Sequence, residues 1–434
     1  MKTFVKVLLF MLTAILFIQC EKEEQRPHAN FEITDDNFLI ALFEKGVDYN
    51  GDDLISTSEA EAVKVLDVSF REISDLKGIE FFVNLDTLLC NGNGLRKLDI
   101  SKNTGLKYLN CRINKLINLD VSKNTALETI RCELNGLSRL DISTNIVLEV
   151  LNCRNNNLTD LDVSKNTALK NLRCGVNSIP HLDFSNNIFL TELDCRYNEL
   201  TDLDFSNNSN LVELNCENNE LTKLDLSKCT TLKYLICDDT QLASLDISNI
   251  TTLTWLVCNN NQLTSLDVST NTALEYLRCY HNQIAVLDVS KNNALEYLNC
   301  HHNRLISLDV SSGATLYELH CEYNWLTDLD VSNQSELGVL NCGNNQLINL
   351  DVSNQPYLRV LSCGGNQLTT LDISNNSNLG LEIGPLVSCF LDIGNMPSLE
   401  QVCVLAEPFP TSSFRLCAVN SPNVYYTSEC SEDL

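Results

Sequence analysis

The sequence predicts a solenoid of short parallel β-strands, and a column of regularly spaced cysteines is the main reason. Cysteines occur every 21 residues from Cys90 to Cys363, in fourteen consecutive copies without a change of length. The same pattern surrounds each one, and the copy at 106–126 reads Leu-x-x-Leu-x-Cys-x-x-Asn-x-Leu-x-x-Leu-Asp-Val-Ser. A short fixed period of this kind indicates stacked units that share one core.

Positions in the repeat are numbered here from its cysteine. The alternation Leu-x-Cys predicts a short strand, and the leucines at Cys−5, Cys+5 and Cys+8 fill the remaining core. Asn stands at Cys+3 in thirteen copies, with Thr240 as the exception, and predicts a polar ladder of side chains bonded to the backbone. Asp stands at Cys+9 in all fourteen copies, from Asp99 to Asp372. We expect it to face outward and accept hydrogen bonds from the Ser-x-Asn turn that follows, with a cation-binding column as the alternative.

The ladder cysteines are predicted to be buried thiols that act as small apolar side chains. Neighbours on parallel strands lie about 4.8 Å apart, within reach of a disulfide. Their Cβ vectors run side by side, however, and bridging requires local distortion. Cys229 lies outside the ladder and is predicted to be an unbridged thiol in a loop.

Composition narrows the function. The formal charge of −27 over 434 residues argues against nucleic acid or an anionic lipid surface as a general partner. The sequence contains no Ser/His/Asp set, no cysteine in a catalytic context and no glycine-rich phosphate loop. We therefore predict that the protein is not an enzyme.

Residues 1–19 are typical of an export signal, with Lys2 and Lys6 before an apolar run that is too short to span a bilayer. The run ends at Cys20, which Glu-Lys-Glu-Glu follows. This arrangement resembles the signal of surface lipoproteins from the Bacteroidetes group. The resemblance implies that Cys20 is lipidated, that residues 20–30 form a flexible tether, and that the protein is anchored in the outer membrane at the cell surface. An ordinary secretory signal is the alternative.

Residues 31–64 are predicted to form a helical cap that contains an EF-hand-like loop. Oxygen donors at loop positions 1, 3, 5, 9 and 12 suit the shell of a structural calcium ion. These donors are Asp48, Asn50, Asp52, Ser56 and Glu59. Asp53 stands where such loops usually carry glycine, so we expect a left-handed backbone there. The alternative is an acidic loop that caps the next helix through Ser56 or Ser58.

The repeat predicts a solenoid over residues 65–388, and the register is lost after Asp372. Residues 389–434 are predicted to form an irregular C-terminal cap. Its four cysteines, an even number in an exported segment, predict disulfides. Cys403–Cys430 is the preferred pairing, and the other pairings stay open.

The repeat resembles the cysteine-containing leucine-rich repeats of bacterial surface proteins, the internalin-like class, over residues 31 to about 430. The resemblance implies a curved leucine-rich repeat solenoid with strands on its concave face, a helical N-terminal cap and a cysteine-bearing C-terminal cap. It also implies a non-catalytic surface binding protein, since several members of the class are adhesins.

The residues at Cys−3, Cys−1 and Cys+1 are predicted to point outward from the concave face, the usual binding surface of such solenoids. Five arginines in consecutive repeats form a zigzag suited to bidentate capture of carboxylate or sulfate. They are Arg112, Arg131, Arg154, Arg173 and Arg196. The alternative is charge balance with Glu133, Glu192 and Asp194 on the same face.

Aromatic residues follow at Cys−3 in four consecutive repeats, with Tyr280 beside them at Cys+1. The four are Tyr234, Trp255, Tyr276 and Tyr297. They predict a stacking platform for sugar rings or an anchor strip for a protein partner, with a self-packing row as the alternative. Four histidines in neighbouring repeats suggest either a transition-metal site or exposed residues of the ligand surface, and their spread across columns favours the latter. They are His281, His301, His302 and His320.

Together these features predict a lipid-anchored, cell-surface leucine-rich repeat protein that binds a protein or glycan ligand, as adhesins do. The alternative is a structural spacer or a non-catalytic subunit of an outer-membrane complex.

Overall fold

The computed structural model describes residues 28–311, 315–381, 389–406, 409–410, 414–421 and 424–429. The predicted signal, Cys20 and Cys430 lie outside these ranges, so the lipidation stays a prediction. Within the described ranges no helix is long and apolar enough to cross a membrane. The chain forms two compact units, one ending at Asn145 and the other beginning at Ile146.

The first unit begins with two helices and a small sheet. Strand β1 (His28–Ala29) pairs in parallel with β2 (Leu54–Ile55), and helices α1 (Asp36–Glu44) and α2 (Thr57–Ala62) follow each strand. Asp35 caps α1 by accepting a hydrogen bond from the N–H of Phe38. These elements confirm the predicted helical N-terminal cap.

The rest of the first unit is the beginning of the solenoid. Strand β3 (Val65–Asp67), a 3-10 turn (Ile79–Phe81), β4 (Thr87–Leu89), β5 (Tyr108–Asn110) and β6 (Thr129–Arg131) follow in order. The four strands form one parallel sheet in chain order. Phe38 of α1 packs against Phe82, and both side chains are fully buried. The helix thus covers the apolar end of this stack.

The second unit is also a solenoid built on a parallel sheet. Its strands are β7 (Val150–Asn152), β8 (Asn171–Arg173), β9 (Glu192–Asp194), β10 (Glu213–Asn215), β11 (Tyr234–Ile236), β12 (Trp255–Val257), β13 (Tyr276–Arg278), β14 (Tyr297–Asn299), β15 (Glu318–His320), β16 (Val339–Asn341), β17 (Val360–Ser362), β19 (Leu391–Asp392) and β21 (Leu416–Cys417). A second sheet contains β18 (Thr370–Asp372), β20 (Gln401–Cys403) and β22 (Tyr425–Thr427).

The 21-residue period fixes the strand register. Tyr234 pairs with Trp255, which pairs with Tyr276, so each repeat position forms a straight column through the stack. The fourteen ladder cysteines are thiols with fully buried side chains, as predicted. Burial raises the pKa of the Cys111 thiol to about 12, which keeps it in the unreactive protonated form.

The asparagines at Cys+3 form the predicted polar ladder. The Asn324 side chain donates to the carbonyls of Cys300 (3.1 Å) and Cys321 (3.0 Å) and accepts from the N–H of Leu305 (3.0 Å). One amide thus joins backbone groups of two successive turns. Thr240 has one hydroxyl in place of the Cys+3 amide, and this hydroxyl lies 3.0 Å from the Cys237 carbonyl and 2.6 Å from Oδ1 of Asn261.

The aspartates at Cys+9 are exposed, and each accepts a hydrogen bond from the serine N–H two residues later. Ser122 N–H donates to Asp120 at 2.9 Å, and the same bond occurs in all fourteen copies. These bonds confirm the predicted turn. They hold the pKa of carboxyls such as Asp120 below its usual value, with backbone and then side-chain bonding from Ser122 as the largest causes.

A second buried column, at Cys+13, was missed by the sequence reasoning. Asn124 is fully buried and donates to the carbonyls of Ile100 (2.9 Å) and Asn103 (2.8 Å). The Asn of the Ser-x-Asn turn therefore points into the core, where surface turn chemistry was expected. Cys229 occupies this position in its own repeat and is a buried free thiol.

The C-terminal segment contains disulfides, as predicted. Cys389 is bonded to Cys417, with their Cα atoms 5.9 Å apart. Cys403 is also disulfide-bonded. Because Cys430 lies outside the described residues, the Cys403–Cys430 pair stays a prediction.

The Cys+3 ladder predicts opposite effects for two substitutions. Asn324→Ala leaves two carbonyls and one N–H without their partner, and we expect it to lower the free energy of unfolding by about 2–4 kcal/mol. Thr240→Asn restores the repeat pattern, and we expect a gain of roughly 1 kcal/mol. Urea unfolding followed by circular dichroism measures both.

Asn333, in the exposed turn of the same repeat, provides the control, because water can replace its one side-chain bond, to the Ser311 carbonyl (2.8 Å), and Asn333→Ala is expected to change stability by less than about 0.5 kcal/mol. Equal effects of Asn324→Ala and Asn333→Ala would contradict the importance assigned to the ladder.

Candidate ligand-binding surface

The side chains at Cys−3, Cys−1 and Cys+1 flank the strands on their outer side, and we call these three columns the strand surface. The central residue of each strand points into the core; Leu214 of β10, for example, is buried between Glu213 and Asn215. Neighbouring strands lie about 4.8 Å apart, so adjacent side chains in a column touch. Most of these side chains are therefore half-buried, and their conformations depend on the side chains of the neighbouring repeats.

In the first unit, both arginines of the zigzag bind one carboxylate. Glu133 lies 3.0 Å from Arg131 and 3.7 Å from Arg112. The Glu133 side chain is 9% exposed, so its charge is largely removed from water and depends on these guanidinium groups.

In the second unit, two of the three arginines are paired. Arg173 binds Glu192, and Arg196 lies 3.3 Å from Asp194 and 3.9 Å from Glu217. Arg154 makes no ion pair with any residue that the structure describes. Glu133, Glu192 and Asp194 thus form the ion pairs that the charge-balance alternative foresaw, and Arg154 is the guanidinium left available.

A cleft of about 260 Å³ opens on the strand surface of β7 to β11. Arg154, Arg173 and Arg196 line one part of it, and Tyr234 lines another. Burial raises the pKa of the Asp194 carboxyl in this cleft, although Arg196, Arg154 and Arg173 oppose the shift. The cleft brings together basic and aromatic features that the sequence presented as separate.

The aromatic residues of β12 to β14 pack on one another. Trp255 and Tyr276 are parallel with ring centroids 3.5 Å apart, and Tyr276 and Tyr297 stack at 4.3 Å. Arg278 lies over the rings of Tyr276 and Tyr297, 5.1 and 5.2 Å from their centroids. The ring faces are covered, which agrees with the self-packing alternative, and the ring edges remain for a ligand.

Tyr234 differs from the other three members of the aromatic column. It is 43% exposed and makes no ring contact with a described residue. Tyr280 also departs from the expected strip, because it stacks on His301 at 4.4 Å. Arg278 was missed, although its Cys−1 position beside the aromatic column would have identified it.

Three of the four histidines converge. Potential ligand nitrogens of His281, His301 and His302 all lie within 4.8 Å of one another. Burial is the main cause that lowers the pKa of His301 to about 4, and it also lowers the pKa of His302. His320 lies apart from this cluster and bonds with Glu318 and Asn341.

An acidic group on the same surface was also missed. Burial, followed by repulsion from Glu217, raises the pKa of Asp238 to about 7, while Arg278 opposes the shift. Glu217 and Asp238 both stand at Cys+1 in adjacent repeats, so numbering the repeat from its cysteine could have identified this pair.

The EF-hand-like loop has a compact geometry. Carboxylate oxygens of Asp48, Asp52 and Glu59 lie within 4.8 Å of one another, and Asp53 has the expected left-handed backbone with φ 62°. Ser56 caps α2 in a capping box with Glu59, as the alternative interpretation foresaw for this serine. Glu59 thus belongs both to the capping box and to the carboxylate cluster.

The comparisons with known proteins give structural matches. The sequence matches no protein-family model, and no curated protein matches it significantly. The functional domain of InlJ from Listeria monocytogenes, which includes a cysteine ladder, is 34% identical over 85% of this chain and 80% of its own, with a TM-score of 0.76.

Two further structures show likeness of fold alone. A leucine-rich repeat protein of Leptospira interrogans is 24% identical, with a TM-score of 0.65 and coverage of 71% of this chain and 92% of its own. The ectodomain of the receptor kinase GASSHO1/SCHENGEN3 from Arabidopsis thaliana, solved in complex with CASPARIAN STRIP INTEGRITY FACTOR 2, is 20% identical. Its TM-score is 0.56, and the match covers 76% of this chain and 51% of its own.

The carboxyl groups predict a maximum of stability near pH 5. Asp238 has a raised pKa in the folded state, so its contribution becomes unfavourable as pH rises from about 4 to 7. Cys+9 aspartates such as Asp120 and Asp267 have lowered pKa values, so their contribution is present above about pH 4 and is lost as pH falls through those values. Thermal unfolding between pH 3 and 8 measures this profile.

Asp238→Asn tests whether Asp238 causes the loss of stability at neutral pH. We expect it to raise Tm at pH 8 by on the order of 2 °C and to leave Tm at pH 4 unchanged. Asp246→Asn, in the exposed Cys+9 column, is the control with the opposite sign, because it weakens a favourable hydrogen bond at pH 8. A lower Tm for Asp238→Asn at pH 8 would show that the ionised Asp238 carboxylate does not destabilise the folded protein.

Proposed function

The chain belongs to the internalin-like leucine-rich repeat proteins that carry a cysteine ladder, and on that premise we propose that it binds a protein ligand at the strand surface. The observation that carries the proposal is the cleft shared by Arg154, Arg173, Arg196 and Tyr234. It offers an unpaired guanidinium at the β7 end and an exposed phenol ring at the β11 end, the two residue types that are enriched at binding hot spots.

The cleft favours a ligand segment that carries a carboxylate. Arg154 has donors for a bidentate bond and makes no ion pair with a described residue, although it lies close enough to Asp194 to lower the pKa of that carboxyl, whereas Arg173 and Arg196 are already paired. Tyr234 adds a rigid, amphipathic contact surface. Arg154 and Tyr234 are four strand spacings, about 19 Å, apart, so a peptide with an acidic and an apolar side chain about six extended residues apart matches this arrangement.

A glycan fits less well. Sugar rings stack on open aromatic faces, but the stack covers both faces of Tyr276 and one face each of Trp255 and Tyr297. The row therefore supports the sheet and offers edges and hydroxyls to a ligand. In this proposal the curvature of the solenoid places the strand surface on its concave side.

The cellular setting belongs to the same proposal. Residues 1–19 direct export, Cys20 carries the lipid anchor, and the residues between Cys20 and β1 tether the solenoid at the outer-membrane surface. The chain binds and does not catalyse, as adhesins do. In the alternative, a spacer or complex subunit, the strand surface is buried against a partner from the same cell.

Binding by point variants tests the cleft. Labelled protein is applied to a peptide array that contains acidic sequences and to a glycan array, and dissociation constants are measured for the peptides that bind. We expect Arg154→Ala and Tyr234→Ala each to weaken peptide binding by roughly 10-fold or more. Added salt should weaken binding by wild type and leave that of Arg154→Ala nearly constant.

Arg304→Ala removes an exposed arginine in a loop position and is the matched control. Binding that survives the Arg154→Ala/Tyr234→Ala double change would place the ligand elsewhere. A single stoichiometric partner that co-purifies from the membranes of the source cell would support the subunit alternative.

We also propose that the loop of residues 48–59 holds one structural calcium ion. Asp48, Asp52 and Glu59 supply converging carboxylates, and the left-handed Asp53 gives the sharp turn that such loops need. Asp48 accepts hydrogen bonds from the N–H groups of Gly51 (2.7 Å) and Asp53 (3.0 Å), which shape the loop around this residue. Asn50 and Ser56 complete the predicted oxygen set. A filled loop would stabilise the capped end of the solenoid.

Calcium binding predicts a rise of several degrees in Tm when millimolar Ca²⁺ replaces chelator. Glu59→Gln keeps the capping box, because glutamine serves at that position, but removes the charged bidentate ligand. We expect it to abolish the Ca²⁺-dependent rise and to lower Tm modestly in chelator, because the amide nitrogen replaces the oxygen that accepts from the N–H of Tyr49 (3.2 Å). Exposed Glu61→Gln should behave like wild type, and an identical response of all three proteins would argue against the site.

A further inference from the structure

Three histidines of the second unit surround a common point on the strand surface. His281 and His302 occupy Cys+2 of neighbouring repeats, and His301 occupies Cys+1. Their ring centroids are 4.3 to 5.3 Å apart. The sequence placed them in different columns, which argued against a shared site.

The backbone explains why the columns meet. Residues at Cys+2 have a left-handed conformation, with φ 49° at both His281 and His302. The N–H of His281 bonds to the carbonyl of His301, so residue Cys+2 of one repeat lies against residue Cys+1 of the next. The turn therefore carries both His281 and His302 to His301.

The ring orientations differ from those of a simple stack. His281 and His302 are stacked with an interplanar angle of 28°. His301 stands across both of them, at 78° to His281 and 75° to His302. The edge of the stack and the crossing ring thus direct nitrogens toward one another, within 4.8 Å.

The hydrogen bonds leave nitrogens available. Nδ1 of His301 lies 2.5 Å from Oδ1 of Asn299, so Nδ1 carries the proton and Nε2 has a lone pair. Asn299 in turn donates to the hydroxyl of Tyr297 (3.4 Å), which orients its amide. Nδ1 of His302 is buried and has no hydrogen-bond partner among the described residues.

From this geometry we propose that His281, His301 and His302 form a binding site for a divalent transition-metal ion, with Zn²⁺ as the representative. Three imidazoles are a known zinc ligand set, and Zn–N bonds of about 2.0–2.1 Å require side-chain rotations that bring the three nitrogens from within 4.8 Å to about 3.4 Å of one another. Asn299 is a positioning residue that fixes the tautomer of His301, as outer-shell partners of metal-binding histidines do. Glu322, whose Oε1 lies 3.9 Å from Nδ1 of His301, places negative charge on the side of this ring that faces away from the ion.

The histidine site is separate from the cleft, and it selects different ions from the calcium loop. Imidazole suits zinc, copper and nickel, whereas calcium takes oxygen ligands. His281 is exposed, so an ion held there reaches solvent and keeps a fourth position open. That position accepts water or a histidine or carboxylate from a docked protein.

Titration of the full chain with Zn²⁺ by calorimetry tests the proposal, with the d–d absorption of Co²⁺ as a second readout of the ligand geometry. We expect one ion per chain at the cluster and tetrahedral-type bands with Co²⁺. His302→Gln and His281→Gln should each weaken Zn²⁺ binding by more than about 100-fold, since even outer-shell changes cost about 10–100-fold. His281→Gln changes an exposed residue, so a folding defect is not expected to obscure its result.

His320→Gln is the matched control, because His320 is in the next repeat but outside the cluster. It should bind Zn²⁺ and give Co²⁺ bands as wild type does. The proposal is overturned if wild type takes up no stoichiometric Zn²⁺. It is equally overturned if His281→Gln and His302→Gln retain wild-type binding, since the ion would then occupy carboxylates or thiols.

Discussion

The buried amide at Cys+3 is the interaction on which the rest of the structure depends. The strand of each 21-residue repeat is only three residues long, and the backbone groups of the turns beyond it need further partners. An Asn such as Asn324 supplies three bonds to two successive turns, in a core where an unpaired N–H or carbonyl costs about 1–3 kcal/mol. The fixed 21-residue length follows, because an insertion would move the amide away from these groups.

A second buried amide column supports the opposite side of each turn. At Cys+13, residues such as Asn124 bond the carbonyls of the preceding turns, while the exposed Cys+9 aspartates hold the serine N–H groups. Leucine and cysteine fill the space between these polar columns. The cysteines contribute volume and apolarity, and their burial suppresses thiolate chemistry, so the conspicuous column is a structural feature.

The same regularity shapes the strand surface. Side chains in a column touch the equivalent residues of the next repeats, and like residues stack, as Trp255 and Tyr276 do. Opposite charges pair, as Arg196 does with Asp194 and Glu217. The residues that remain for a ligand are those whose neighbours leave them unsatisfied, and Arg154, Tyr234 and the nitrogens of the histidine cluster have this property.

The sequence by itself determined the solenoid, its register, the Asn ladder, the Asp turns and the outward columns. These depend on a periodic pattern, and the physical reason for each position is local: a buried apolar side chain, a capped turn or an alternating strand. Only the tertiary structure decided which surface residues act together. Contacts across repeats depend on side-chain rotamers and on the left-handed turn at Cys+2, which recurs in every repeat but is not marked by a constant residue type. For that reason the sequence identified Arg154, Tyr234 and the histidines singly, and the fold joined them into a cleft and a nitrogen cluster.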